Sequence, residues 1–171
     1  MSTYPPIRAG QRITSTLLTS MLPLEAYKPS DTTRLATTTV ADDPDLTLTL
    51  EANAIYYVEI FIHYASPSTE LLKTQWTVPS GASGLRSAWG VASSVVAADP
   101  AGDGRWGVHA FTTDVIYGTR TSGTNQSQAV ETGNVATTSA GVIALKWAQN
   151  TSGATGTKVA AGSYMRVKRI F

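Results

Sequence analysis

Residues 54–66 read AIYYVEIFIHYAS, and their reading decides the fold. In an extended chain, side chains alternate between two faces. Tyr56, Val58, Ile60, Ile62 and Tyr64 then share one face, and Ile55, Tyr57, Glu59, Phe61 and His63 share the other. The first face is wholly apolar and the second mostly so. β-Branched and aromatic residues at period two predict a β-strand. The flanks repeat the pattern. DLTLTLEA (45–52) alternates Leu46, Leu48 and Leu50 against Thr47 and Thr49. LLKTQWTVP (71–79) puts Leu72, Thr74, Trp76 and Val78 on one side before Pro79 and a turn around Gly81 and Gly84.

Further strands are expected in RWGVHAFTTDVIYG (105–118), SQAVETGNV (127–135), GVIALKWAQN (141–150) and SYMRVKRIF (163–171). In the third of these, Ile143, Leu145 and Trp147 share a parity and are expected in the core. PSGASG (79–84) and the Gly/Ser/Ala-rich stretch around Trp89 read as loop. Short strands separated by turn residues, with no second helix, predict an all-β sandwich or barrel over 31–171.

Residues 1–30 read differently. YPPI (4–7) favours an extended arm, because proline fixes φ and donates no hydrogen bond. In ITSTLLTSMLP (13–23), Thr14 is an expected N-cap. Leu17, Leu18, Met21 and Leu22 have helical spacing, and Pro23 ends the run. Such a helix is too short to stand alone. The segment is expected to be an attachment arm that the body can lose and still fold.

With 15 % charged and 42 % hydrophobic residues, the chain lacks the composition of disorder. A net charge of +1 gives no long-range field towards nucleic acid or an anionic membrane. The absence of cysteine excludes disulfides, thiolate zinc sites and thiol catalysis. No run approaches the ~20 apolar residues of a membrane span, and no signal-peptide pattern opens the sequence. Synthesis in a cytoplasm and no membrane insertion are the expectations.

Candidate chemistry is thin. His63 and His109 have no spacing that demands a metal. The clusters Asp42–Asp45 and Asp99/Asp103 lack the ligand period of a calcium loop and read as turns. PSGASG is neither a nucleophile elbow nor a phosphate loop. Glu51, Glu59, Glu70 and Glu131 could supply paired carboxylates for glycoside hydrolysis, but the sequence brings no two together. No catalytic residue, cofactor or metal is assigned, and the chain is read as non-enzymatic. The stretch 164–171 carries apolar residues at both parities, Tyr164 and Ile170 on one and Met165, Val167 and Phe171 on the other. Either a central strand of a monomeric sandwich or a strand covered by a partner subunit would need that.

Several segments together resemble small virion proteins of bacteriophages and prophages of actinobacteria, above all of Streptomyces. They are YPPIRAGQRITSTLLTSMLP (4–23), LEANAIYYVEIFIHY (50–64), WTVPSGASGLR (76–86), HAFTTDVIYG (109–118), VETG (130–133) and IALKWAQNTSGATGTKVAAGSYMRVKRI (143–170). The resemblance implies a tumour-necrosis-factor-like jelly-roll body that associates as a homotrimer. It implies a minor tail or capsid decoration protein, assembled in the bacterial host cytoplasm beside tail or major capsid proteins. Tyr164, Arg166, Lys168 and Ile170 are then expected at the subunit interface. Tyr4, Pro5, Pro6, Ile7, Leu17 and Met21 are expected to hold the particle. A carbohydrate-binding module for host cell-wall glycans is the alternative, with Trp89, Trp106 and Tyr117 as stacking residues.

Overall fold

A computed structural model describes residues 7–95 and 104–171. Among these residues one short helix, α1 (Ser15–Ser20), precedes twelve strands: β1 (Leu24–Tyr27), β2 (Thr32–Arg34), β3 (Ala41–Leu50), β4 (Ala54–Ser66), β5 (Leu72–Thr77), β6 (Ser83–Val91), β7 (Gly104–His109), β8 (Val115–Tyr117), β9 (Ser122–Thr137), β10 (Gly141–Gln149), β11 (Thr157–Val159) and β12 (Tyr164–Arg169). All strand pairs are antiparallel. The larger sheet runs β1-β12-β4-β9-β6-β7, with β11 and β2 beside the far end of β4, and the smaller runs β3-β10-β5-β8. Counting the β6–β7 hairpin as one step, the chain from β3 to β10 alternates between the two sheets of the sandwich.

The core lies between the sheets. β4 turns Tyr56, Val58, Ile60, Ile62 and Tyr64 inward, all essentially inaccessible, while Ile55, Tyr57, Glu59, Phe61 and His63 are half-buried or exposed. β3 buries Leu46 and Leu50, and β10 buries Ile143, Leu145 and Trp147. Met165 and Val167 face the same core from β12, whereas Arg166 and Lys168 point away. In β3, β4 and β10 the apolar residues set the inward parity, and the sheet keeps it because a one-residue slip would expose the whole set.

Two expectations are corrected. First, the body begins before residue 31. β1 pairs with β12, and Lys28 is fully buried with its ammonium 3.0 Å from Asp43 and 2.8 Å from Asp45. Asp43 also accepts from the Trp147 indole N–H at 2.9 Å. A buried carboxylate needs such partners, so residues 24–30 belong to the sandwich. Second, the stretch around Trp89 is strand β6, not loop. Its small residues are weak strand formers, but tertiary context requires them. A Cβ on Gly90 would lie 2.9 Å from the Tyr117 ring, and one on Gly84 (φ +140°) would strike the Asn134 carbonyl. β6 therefore fits against β9 and over Tyr117 only because it is stripped of side chains there. β2 and β11, three residues each, have no counterpart among the expected strands.

Candidate functional site

β-Sheet register carries the outward parity of the larger sheet into rows that cross six strands. One row runs Tyr27–Tyr164–Phe61–Val130–Trp89–Trp106, from β1 at one edge to β7 at the other. The next runs Glu25–Arg166–Glu59–Thr132–Ser87–Val108. Lys168, Tyr57, Asn134 and Leu85 form a third over four strands. Tyr164, Arg166 and Lys168, expected at a subunit interface, and Trp89 and Trp106, expected at a rival sugar site, lie on one continuous face. Ile170 lies past the end of β12, exposed, with its N–H bonded to the Ile55 carbonyl at 2.8 Å.

The row is apolar and largely open to solvent. Trp106 is 73 % exposed, Tyr27 65 % and Trp89 54 %. Phe61 stacks on Tyr164 with centroids 5.6 Å apart, and its edge meets His63 at 4.8 Å. Gly104 leaves room for the Trp106 indole, since a Cβ there would overlap the ring. The indole thus lies back over Gly104 and stays open to solvent. At the opposite edge, Glu25, Ala26, Tyr27, Tyr164 and Arg166 line an open cleft of roughly 280 Å³. Arg166 and Glu25 are paired across it at 2.8 Å.

Tyr117 has no part in this surface, which corrects its assignment to glycan contact. It is fully buried, and its hydroxyl donates to Glu131 at 2.8 Å. Burial, and then the Glu131 charge, push its pKa well up. Glu131 is the centre of a buried ionic cluster within the sandwich. It accepts from Thr74 Oγ1 at 2.5 Å, from the Trp76 indole at 2.6 Å and from the Arg86 guanidinium. Arg86 reaches on to the Thr74 and Thr113 carbonyls at 2.9 and 2.7 Å. Fully buried, Glu131 ties β5, β6, β8 and β9 together through these bonds. On their strands Glu131 lies between Ala129 and Gly133, and Arg86 between Gly84 and Ala88, at the inward parity.

The arm residues stand apart from this face. Tyr4, Pro5 and Pro6 lie outside the described residues, as do Asp99 and Asp103. Thr14 caps α1 by accepting from the Leu17 N–H at 3.2 Å. Ile7 and Met21 are exposed, Leu17 is half-buried, and α1 buries no residue. His63 and His109 occupy separate strands, and no group of three metal-ligating side chains gathers among the described residues. No described helix is long and apolar enough to cross a membrane.

No family model matches the chain, and no curated protein matches it either. Among solved structures it is similar to the tripod from the baseplate of bacteriophage Tuc2009. Identity is 10 % and the TM-score 0.37, over 99 % of this chain and 76 % of that one, a likeness too loose to bear on function.

Proposed function

We propose that the protein is a non-enzymatic structural component of a bacteriophage virion. In this reading it is a homotrimeric β-sandwich appendage of the tail or capsid, held to its particle by the residues before β1. The observation that carries the reading is the uncovered apolar segment 7–22. Ile7, Ile13, Leu18, Met21 and Leu22 are all exposed, and α1 is six residues long. Isolated helices need about 12–15 residues even to be marginal in water, so this stripe is made to dock on another molecule. Three copies of one arm attach multivalently, and weak single contacts then sum to retention. The sequence resemblance supports a virion as the place of docking, with a tail or major capsid protein as neighbour.

Removing residues 1–22 tests this. The shortened chain is expected to melt as cooperatively as the full one and to be missing from purified particles. Particles that incorporate it at full copy number would refute attachment through the arm.

A second reading is favoured by one observation, the two exposed indoles side by side on β6 and β7. Ring faces of this kind stack on pyranose sugars, which would make the face a contact for host cell-wall glycans. Quenching of tryptophan fluorescence by such glycans, lost in Trp106→Ala, is its signature.

A further inference from the structure

The two ends of the aromatic row differ in shape and chemistry. At the β7 end, Trp106 and Trp89 form an apolar shelf, with Val108 beside it also exposed. The shelf exists because the β6–β7 hairpin extends the sheet beyond β9. At the β1 end, Tyr27 and Tyr164 flank a cleft that holds the Arg166 guanidinium. An indole face is electron-rich and attracts a cation, and arginine and tyrosine are common anchors at protein interfaces. The shelf and the cleft are thus complementary. They cannot meet within one chain, because five strand spacings of about 4.8 Å put them roughly 24 Å apart. The sheet also twists by about 20–25° at each step, so over five steps the ends are turned by about 100° from each other. One flat partner cannot cover both.

We propose that the Trp89–Trp106 shelf of one copy docks on the Tyr27–Tyr164–Arg166 cleft of a second copy, a head-to-tail contact that closes into a ring. The inference rests on the homo-oligomeric part of the function proposed above and names its interface. Heterologous contacts generate rings when the rotation closes, and a face whose ends are strongly turned relative to each other suits a small ring. Charge also agrees. Glu25, Glu59, Arg166 and Lys168 balance to zero on the β1–β12–β4 half, and the outward residues of β6 and β7 in these rows carry no charge, so copies meet without repulsion.

The chain has no cysteine, which makes crosslinking clean. Glu25→Cys lines the cleft and Val108→Cys flanks the shelf, and neither removes an aromatic ring. Under mild oxidation, the E25C/V108C double variant is expected to give covalent oligomers that stop at one ring size on a non-reducing gel. Each single variant is expected to stay uncrosslinked. Trp106→Ala and Tyr27→Ala are each expected to weaken assembly at least tenfold in sedimentation velocity, with melting of the separate subunit unchanged. Crosslinking within a single variant would mean a two-fold, like-with-like contact and would overturn the proposal. So would wild-type oligomers that neither crosslink in the double variant nor weaken in W106A and Y27A; the oligomeric reading would then survive without this interface. A wild-type monomer at tens of micromolar would remove both. If that monomer's fluorescence were quenched by neutral cell-wall glycans, the shelf would be a sugar platform instead.

Discussion

Trp89 and Trp147 show how little a residue's type says about its cost of removal. Trp147 is wholly buried, gives its indole N–H to Asp43 and carries the Arg34 guanidinium 4.2 Å above its ring. Trp147→Ala is expected to cost about 3–5 kcal/mol, the range for large aromatic residues in cores. Trp89→Ala, on the open face, is expected to change the stability of the separated subunit by less than about 1 kcal/mol. Urea denaturation of both variants checks the ranking. The buried ion pair obeys another rule. Arg86→Met leaves Glu131 charged and buried, at an expected cost of about 3–5 kcal/mol. The double variant Arg86→Met/Glu131→Gln is expected to regain part of that, because the amide is neutral and its oxygen, in the Oε1 position, still accepts from Thr74 and Tyr117, while the Trp76 indole N–H loses its acceptor. A double-mutant cycle measures the recovery. His109 gives a pH signature. Burial holds its pKa down, helped by Arg86 and Arg105 and partly offset by Glu131. The folded state therefore binds a proton less readily than the unfolded chain, whose histidine titrates near 6.5. Stability is then fully present above about pH 6.5 and falls as pH drops below it. Between pH 7.5 and 5.5 the wild type is expected to lose more stability than His109→Gln.

The elements at the start of the body divide more sharply than their sequence suggests. α1 buries nothing, whereas β1, only a few residues further on, covers the edge of β12 and leads into buried Lys28. Deletion of 1–22 and deletion of 1–30 are therefore expected to behave differently. The first leaves the melting transition in place. The second strips Asp43 of its cation and uncovers β12, so by the cost of breaking a buried pair the melting temperature should fall by at least about 6 °C. Equal melting of the two forms would show that Lys28 does not lock the segment. β6 teaches the converse lesson. A stretch of Ser, Gly and Ala has no visible strand period, yet it is held on both sides by ladders to β9 and β7. Propensity is a weak prior where neighbours supply the hydrogen bonds.

In the molecule as a whole, most pairings join distant segments. β4 pairs with β9 some seventy residues on, and β1 with β12 across nearly the full body. Closing such loops before contacts reward them slows folding, and antiparallel sandwiches of this kind fold in about milliseconds to seconds. Stopped-flow refolding monitored by tryptophan fluorescence is expected to fall in that range, with Trp76 and Trp147 reporting core formation. Microsecond folding would mean that local structure dominates, against the topology.

Strand parity was legible wherever apolar and polar residues alternate. Tyr56 to Tyr64, Leu46 to Leu50 and Ile143 to Trp147 face inward as their spacing requires, because period two is a local property of the chain. The Thr14 cap and the short helix were legible for the same reason. Register between strands was not, since it depends on which segments pair at long range. Only that register puts Tyr27, Tyr164, Phe61, Val130, Trp89 and Trp106 into one row, joining residues that the sequence had divided between a subunit interface and a sugar site. It also sends Tyr117 inward, away from any ligand. The charged cluster around Glu131 and the Lys28–Asp43 lock were beyond reach for a like reason. A buried charge is tolerable only when its partner arrives from a distant strand, and a linear sequence does not say which strand that is.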